Sequence, residues 1–347
     1  TGSKIIKDNA IVTSFTKTGG GSNLYFYNDV GSSVAGASII NEGNNFSNIT
    51  ISGAILCNGW VNADGSGTVP TKNIFNNTFN NIIASTSGIF LMQVANGTGA
   101  IYGNTITNCT ASLNSIAGLS VTSGSFNIYG NTINTLSNAG SSAALNGINI
   151  SGGTTQNIYN NTVHTLISTA TSSTTSAIVI AGGTTVRVYK NKVYGISNSA
   201  LALASGGAYG INITGGATVS VYNNHIGNLT TPAANFDDAI RGISVGGGTT
   251  VNVYYNTVYI STSSTGVSFG SSALYANTGP TLDMRNNILY NISTPGSGAS
   301  GKTVAYRRNG TTLPSYSNSS DNNFFYAGTP GAKNLIFYDN SNFVQAL

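Results

Sequence analysis

A short motif centred on an asparagine recurs through most of the chain at intervals of about thirty residues. Two copies read NIYGNTI (127–133) and NIYNNTV (157–163). A repeat of this length predicts that each copy belongs to one small structural unit, which buries its apolar side chains by stacking on the next unit. The aligned asparagines are Asn77, Asn104, Asn131, Asn161, Asn191, Asn224, Asn256 and Asn287, spaced 27, 27, 30, 30, 33, 32 and 31 residues apart.

Each period contains a second element, in which Gly-apolar-x-apolar is followed by a turn rich in Gly and Thr. Examples are GINISGGTT (147–155) and GISVGGGTT (242–250). The unit therefore reads as strand, GGTT turn, strand, asparagine turn, strand and variable loop. All three strand segments alternate with a period of two, and no segment shows a sustained helical period.

A three-stranded unit of this size predicts an all-β parallel β-helix. One coil is too thin to bury its own Ile and Val side chains. Stacking at about 4.8 Å pairs each strand with the coils above and below and creates a continuous apolar column. About ten coils are expected, which would make a rod roughly 45–50 Å long.

The recurring asparagine is expected to form a ladder at the second corner of the coil. Asparagine tolerates the left-handed backbone conformation that a tight corner needs. Its amide can also hydrogen-bond to the same amide one coil away when the coils stack in register.

This asparagine corner resembles the asparagine ladder of right-handed parallel β-helix proteins, the pectate-lyase-like superfamily. The resemblance covers residues 40–312 and implies a right-handed solenoid whose first strand is Gly-Ile-x-Ile. The tail SDNNFFYAGTPGAKNLIFYDNSNFVQAL resembles the closing segment of such helices in large secreted surface proteins of Bacteroidetes-type bacteria. That likeness implies one module of a longer protein. Because the composition suits a secreted chain but no signal peptide is seen, Thr1 is expected to begin a mature or excised fragment.

The ends of the chain depart from the period. Residues 1–40 lack it and are predicted to cover the first coil as an N-terminal cap, because an open sheet edge promotes aggregation. Residues 41–312 form the predicted β-helix. Residues 313–347 are rich in aromatic side chains and are expected to fold over the last coil as a C-terminal cap.

Composition narrows the class of protein. Only 22 of 347 residues are charged, and the net charge is +4, so nucleic-acid binding is not expected. No apolar run approaches the length of a membrane-spanning helix. Two cysteines, Cys57 and Cys109, cannot make a disulfide framework, and Cys109 is expected to be a buried apolar filler. This composition favours a secreted or cell-surface protein without a cofactor.

A local cluster of polar side chains is the candidate ligand site. Asp237 and Asp238 lie in a variable loop, and Arg241 lies at the edge of a first strand. Polysaccharides often lie across this face in the resembled superfamily. An arginine, two carboxylates and two tyrosines would suit a glycan or a Ca²⁺ ion, although Arg241 could equally form only an ion pair with Asp238. The predicted set is Tyr209, Asn212, Asp237, Asp238, Arg241, Ser244 and Tyr275.

Two further columns are expected on the outer surface. An aromatic column beside the asparagine corner is predicted to stack on itself, and sugar binding is the alternative. A threonine column follows the corner, and regular threonine arrays can bind ice, but Lys192 and His225 interrupt this one. The aromatic column is Phe75, Tyr102, Tyr129, Tyr159, Tyr189, Tyr222 and Tyr254, and the threonine column is Thr78, Thr105, Thr132, Thr162 and Thr257.

Acid–base chemistry finds little support in the sequence. The chain has one glutamate, Glu42, and glycoside hydrolysis needs paired carboxylates. The basic residues Arg187, Lys190 and Lys192 are expected to diverge around one coil, and His164 and His225 to lie too far apart to share a metal.

The sequence therefore predicts a non-catalytic spacer or adhesin on a bacterial surface, with a glycan or neighbouring modules as partners and end-to-end assembly as a further option. The alternatives are a polysaccharide-active enzyme, more a lyase than a hydrolase, a phage tailspike-like protein and, as a minor one, an ice-binding protein.

Overall fold

The computed structural model describes residues 2–53, 56–140, 142–199 and 206–346. Thr1 and Leu347, which belong to the predicted caps, lie outside the described residues, as do residues 54, 55, 141 and 200–205 of the predicted β-helix. All regular secondary-structure elements in the described ranges are β-strands, as the sequence predicts. No helix in this part of the chain is long and apolar enough to cross a membrane.

The strands are short and follow one another around successive coils. In chain order they are β1 (Ser3–Lys7), β2 (Ala10–Ile11), β3 (Phe15–Thr18), β4 (Leu24–Asp29), β5 (Ser38–Glu42), β6 (Asn45–Ser52), β7 (Cys57–Asn62), β8 (Thr71–Phe75), β9 (Thr78–Ala84), β10 (Ile89–Val94), β11 (Thr98–Tyr102), β12 (Thr105–Ala111), β13 (Ile116–Val121), β14 (Ser125–Tyr129), β15 (Thr132–Asn138), β16 (Leu145–Ile150), β17 (Thr155–Tyr159), β18 (Thr162–Ser168), β19 (Thr174–Ile180), β20 (Thr185–Tyr189), β21 (Lys192–Asn198), β22 (Gly207–Ile213), β23 (Thr218–Tyr222), β24 (His225–Thr230), β25 (Ile240–Val245), β26 (Thr250–Tyr254), β27 (Thr257–Ile260), β28 (Ser271–Ala276), β29 (Thr281–Arg285), β30 (Ile288–Asn291), β31 (Thr303–Arg308), β32 (Phe324–Tyr326), β33 (Asn334–Tyr338) and β34 (Phe343–Val344).

Three long parallel sheets run along the solenoid, one for each strand of the repeat. The first sheet has the order β4-β7-β10-β13-β16-β19-β22-β25-β28-β31-β33-β34. The second sheet has the order β1-β5-β8-β11-β14-β17-β20-β23-β26-β29. The third sheet has the order β2-β6-β9-β12-β15-β18-β21-β24-β27-β30-β32, and β3 also pairs with β6. The all-β parallel solenoid with three strands per coil is therefore confirmed.

The solenoid has about 11 coils, slightly more than the ten expected. Both end segments add strands to the repeats: β1, β2, β3 and β4 pair with the first repeats, and β32 and β33 pair with β30 and β31, all in the same parallel sense. At the other end, β34 pairs antiparallel with β33, and this reversal ends the parallel order of the first sheet. The capping roles of residues 1–40 and 313–347 stay predictions.

Equivalent residues of successive coils lie directly over one another and form the core. In the first sheet, Ile148, Ile178, Ile211 and Ile243 pair in register. All four side chains are fully buried. The register follows the repeat because a slip of one residue would turn every Ile and Val of a strand toward water.

The predicted asparagine ladder is present, and each of its amides is fully hydrogen-bonded. The side chain of Asn161 donates from Nδ2 to Oδ1 of Asn191 at 3.0 Å and to the carbonyl of Ile128 at 2.8 Å. Its Oδ1 accepts from the backbone N and the Nδ2 of Asn131, at 3.0 and 2.9 Å. The same pattern links Asn77, Asn104, Asn131, Asn161, Asn191, Asn224, Asn256 and Asn287. It continues beyond them to Asn44, Asn9 and Asn323.

The conformation of the corner differs from the expectation. The left-handed residue is the one before each ladder asparagine, for example Gly103 (φ 63°), Asn160 (φ 52°) and Lys190 (φ 56°). The ladder asparagines themselves do not have positive φ. They recur because their amides fill a buried hydrogen-bonding position, and the preceding residue makes the turn.

A second left-handed position bends the third strand of several coils. It is occupied by Asn48, Asn81, Asn108, Thr135, Thr165, Gly195 and Asn228, with φ between 51° and 66°. Asparagine and glycine adopt this conformation readily, whereas a β-branched residue does so only with strain. Thr135 and Thr165 are therefore strained copies of a bend that asparagine suits better.

Replacing one rung of the ladder should strongly destabilise the solenoid. Asn161→Ala removes the acceptor of the buried backbone N–H of Asn131 and of one of its two amide hydrogens, and it removes a donor to the carbonyl of Ile128. The free energy of unfolding should therefore fall by about 3 kcal/mol. Urea denaturation measures the loss. Asn157→Ala is the matched control, because Asn157 bonds only to the amide of Asn127 and to Arg187 on the surface, and it should cost less than about 0.5 kcal/mol. Equal losses would contradict a stabilising ladder.

Relieving a strained bend should have the opposite effect. Thr165→Asn places a residue that tolerates positive φ at a position with φ 54°. The free energy of unfolding should therefore rise by about 0.5–1 kcal/mol. The same substitution at Thr162, in the regular part of the strand, should give no gain, because asparagine is a poorer strand residue than threonine. Denaturation midpoints of the two variants compare them directly, and a gain at Thr162 alone would refute the strain.

Candidate functional site

The predicted ligand residues come together on the outer surface of the first sheet. Arg241 lies beside Tyr209 of the preceding coil in the register of β22 and β25. Ser244 lies between Asn212 and Tyr275 in the adjacent outward column. The repeat alone predicted both columns correctly.

The two carboxylates of the site are held by two arginines. Arg241 donates from Nε to Oδ2 of Asp238 at 2.8 Å. Arg307 donates from both terminal nitrogens to Asp237, at 2.7 and 2.9 Å, and its Nε lies 3.5 Å from Oδ1 of Asp238. A bidentate guanidinium–carboxylate pair is among the strongest charge-assisted contacts in proteins.

Further bonds attach the loop that carries the carboxylates to later coils. Ser272 donates its hydroxyl to Asp238, and the backbone N of Lys302 donates to Asp237 at 3.2 Å. Asp238 itself has a left-handed backbone with φ 67°. The loop before β25 is thus tied to β28 and to the residues that lead into β31.

Aromatic rings enclose the guanidinium groups. The Cζ of Arg241 lies 3.5 Å from the ring centroid of Tyr275 and 5.0 Å from that of Tyr209. The Cζ of Arg307 lies 5.0 Å from the ring of Tyr338. Such cation–π contacts strengthen when water is excluded. Burial raises the pKa of Tyr209 to about 12 despite the nearby charge of Arg241, so its hydroxyl is neutral at physiological pH.

Burial and charge together indicate a structural cluster. Asp238 and Arg307 are only 4% and 5% exposed. Burial acts to lower the pKa of Arg307, but the charges of Asp238 and Asp237 outweigh it and leave that pKa above its ordinary value. Two carboxylates balance two guanidinium groups, and a buried ion pair of this kind is strongly disrupted by the loss of one partner.

The arrangement does not suit the Ca²⁺ ion that the sequence suggested near Asp237 and Asp238. Both oxygens of Asp237 accept from Arg307, while Asp238 accepts from Ser272 and Arg241. A cation would have to displace the arginines. Within the described residues, no group of three or more His, Cys, Asp or Glu side chains is placed to hold a metal ion.

Arg307 is the residue that the sequence interpretation missed. It lies one coil after Tyr275 in the column that contains Asn149 and Ser244. Extending that column by one more copy would have identified it. The strand that carries it reads TVAYRR and lacks the Gly-Ile-x-Ile signature, so the alignment of coils ended too early.

The aromatic column stacks on itself as predicted. Ring centroids from Phe75 through Tyr222 are 4.8–5.0 Å apart, with neighbouring planes within 12° of parallel. Tyr254 leaves the stack and donates its hydroxyl to Asp283 at 2.7 Å. Because most faces are covered by neighbouring rings, the column stabilises the coils and leaves little face for a sugar.

The remaining candidates also lie where the repeat puts them. In the threonine column, Lys192 and His225 separate Thr162 from Thr257. Arg187 lies on the second sheet, Lys190 at the corner and Lys192 on the third sheet, so this basic trio diverges.

The histidines and cysteines likewise follow the repeat. His164 pairs with Tyr194 and then Gly227 in one column, and His225 lies in the neighbouring column. Cys57 and Cys109 are buried free thiols. Burial raises the pKa of both to about 12, which keeps them protonated and unreactive.

Comparison with protein-family models, with curated proteins and with solved structures finds no match. The likeness to the pectate-lyase-like superfamily and the Bacteroidetes context therefore stay predictions, while the parallel solenoid stands on the geometry of the chain.

Removing the central cation of the cluster should destabilise the fold. Arg307→Met leaves Asp237 without its bidentate partner and Asp238 without one of two nearby guanidinium groups, so we expect a loss of about 3 kcal/mol in unfolding free energy. Arg187→Met is the control, because Arg187 is exposed and makes one long bond of 3.4 Å to Asn157. Chemical denaturation of both variants checks the difference. An unchanged Arg307→Met variant would show that the cluster does not stabilise the fold.

Proposed function

We propose that the chain is a non-catalytic rod-shaped module, acting as a spacer or adhesin on the outside of a bacterial cell. The observation that carries this proposal is the unbroken ladder of side-chain amides from Asn9 to Asn323. A ladder of this length holds successive coils in one register, which is the property that a spacer or a display scaffold requires.

The chemistry of the charged cluster supports a structural role over catalysis. A glycosidase needs one carboxyl group that donates a proton and another that acts as base or nucleophile. Asp237 and Asp238 instead accept hydrogen bonds from arginines, and they are adjacent in sequence. A lyase needs an unengaged base, whereas Arg241 and Arg307 are each committed to a carboxylate.

Placement outside the cell is part of the same proposal and is supported by composition. The chain is rich in Asn, Thr and Ser, and only 6% of its residues are charged. The resemblance of the tail to closing segments of large surface proteins points the same way. Neighbouring modules of the same polypeptide would then be the natural partners at the ends of the rod.

A turnover screen tests the proposal. The protein is incubated with pectate, alginate and neutral polysaccharides, and unsaturated products and new reducing ends are measured. We expect neither. Turnover that disappears in the Arg241→Ala variant would overturn the proposal and establish the alternative, a polysaccharide lyase that uses the charged face.

A cell-binding and glycan-array measurement then separates the two non-catalytic roles. Specific retention on glycans identifies an adhesin, and the slot described below predicts where the glycan binds. Lack of retention, with the fold intact, identifies a spacer.

A further inference from the structure

An outward column of the third sheet carries a second row of rings, and this row is interrupted once. The column runs through Asn134, His164, Tyr194, Gly227, Tyr259, Tyr290 and Tyr326. On one side of the interruption, His164 stacks on Tyr194 with centroids 4.7 Å apart and planes within 3°. On the other side, Tyr259 stacks on Tyr290 at 5.5 Å, and Tyr290 on Tyr326 at 4.6 Å.

Gly227 leaves a slot between two tyrosines. Tyr194 has one face covered by His164, and Tyr259 has one face covered by Tyr290, so their other faces are directed to each other across Gly227. The two tyrosines are 42% and 47% exposed. They are two coils apart, or about 9.6 Å along the axis, which is the room that one further ring of the row would occupy. A surface cavity of about 300 Å³ lies here.

The backbone conformation does not require glycine at position 227. Gly227 lacks the positive φ that would favour glycine. A Cβ atom placed on it would lie 3.2 Å from the carbonyl oxygen of Tyr259, so this carbonyl would have to shift by a few tenths of an ångström. Other copies of the repeat carry asparagine, threonine, histidine or tyrosine here. Glycine inside a strand costs stability, and it often marks a place where a ligand approaches the backbone closely.

The rim of the slot is polar and basic. Lys192 and His225 lie two residues before Tyr194 and Gly227 on the same strands, so their side chains emerge on the same face. Thr257 completes the rim beside Tyr259, and none of the described residues that line the cavity is acidic. A molecule held here would have apolar faces against the two rings and a hydrophilic, negatively charged edge toward Lys192.

We propose that this slot binds one sugar ring of an acidic polysaccharide, such as a uronate residue. The C–H groups on both faces of a pyranose stack against the rings of Tyr194 and Tyr259. Its hydroxyl edge meets water, Thr257 and His225, while its carboxylate pairs with Lys192. A benzoate-like acid shares the ring and the charge but has an apolar edge, which this open rim would leave exposed to water. The inference deepens the adhesin part of the proposed function.

Binding to polygalacturonate and alginate, with dextran as the neutral control, tests the slot. Affinity electrophoresis and calorimetry should show that the wild-type protein binds the acidic polymers and not dextran. Tyr194→Ala and Tyr259→Ala should each weaken binding at least tenfold. Lys192→Ala should weaken it and reduce its dependence on salt. Absence of binding to both acidic polymers would overturn the site while leaving the spacer role intact.

Filling the slot gives the sharpest comparison. Gly227→Tyr supplies the missing ring, so it should abolish binding and raise the melting temperature by a few degrees. Asn134→Tyr is the control, because it lengthens the same row beyond His164 without reaching the slot, and it should bind like the wild type. Polymer binding that survives Gly227→Tyr would refute this location while leaving an adhesin possible elsewhere on the rod. Displacement of the polymer by benzoate but not by galacturonate would refute the sugar assignment. Turnover of the polymer would instead contradict the non-catalytic role.

Discussion

The rest of the structure depends on the hydrogen bonds that the ladder asparagines make to one another and to the backbone. Each amide joins its own coil to both neighbours, because it donates to the next amide and to a carbonyl of the preceding coil. These bonds set the axial position of the second corner. The second strand of each coil leads into that corner and the third strand leads out of it. Both sheets therefore keep one register, and every outward position of the repeat becomes a column.

Columns of equivalent residues also explain why the chain carries so few charges. Two like charges one coil apart would repel at about 4.8 Å along the whole rod. Three arginines of the chain have uncharged neighbours above and below. Arg187 lies between Asn157 and Ser220, Arg241 between Tyr209 and Ser272, and Arg307 between Tyr275 and Tyr338. Neutral amides, hydroxyls and rings can be stacked without this cost, which favours the Asn-, Thr- and Tyr-rich composition.

The period of the repeat made most of this architecture predictable. Features that do not repeat from coil to coil could not be predicted from it. The ladder, the aromatic stack and the juxtaposition of Arg241 with Tyr209 followed from spacing alone. The turn residue was assigned wrongly because several copies have asparagine at both corner positions, as in Asn160 and Asn161. Gly103 occupies the position equivalent to Asn160, and a glycine there indicates that this position, one residue before the ladder asparagine, has the left-handed conformation. Arg307 was missed because its contact with Asp237 joins residues 70 apart in sequence, through a loop whose conformation no repeat specifies.

A residue that departs from the type expected in its column can therefore indicate either a structural contact or a binding site, depending on what replaces the expected side chain. At Arg307 the column breaks, but the new side chain is paired with carboxylates, so the break is explained by stability within the chain. At Gly227 the column breaks and nothing replaces the ring, although the preceding and following copies of the repeat carry Tyr194 and Tyr259 at this position. Glycine here leaves one face of Tyr194 and one face of Tyr259 uncovered, and it makes the strand less stable than a side chain with a ring would. In a solenoid whose regular positions are accounted for by stacking, a gap of this second kind is where a partner from outside the chain is to be sought.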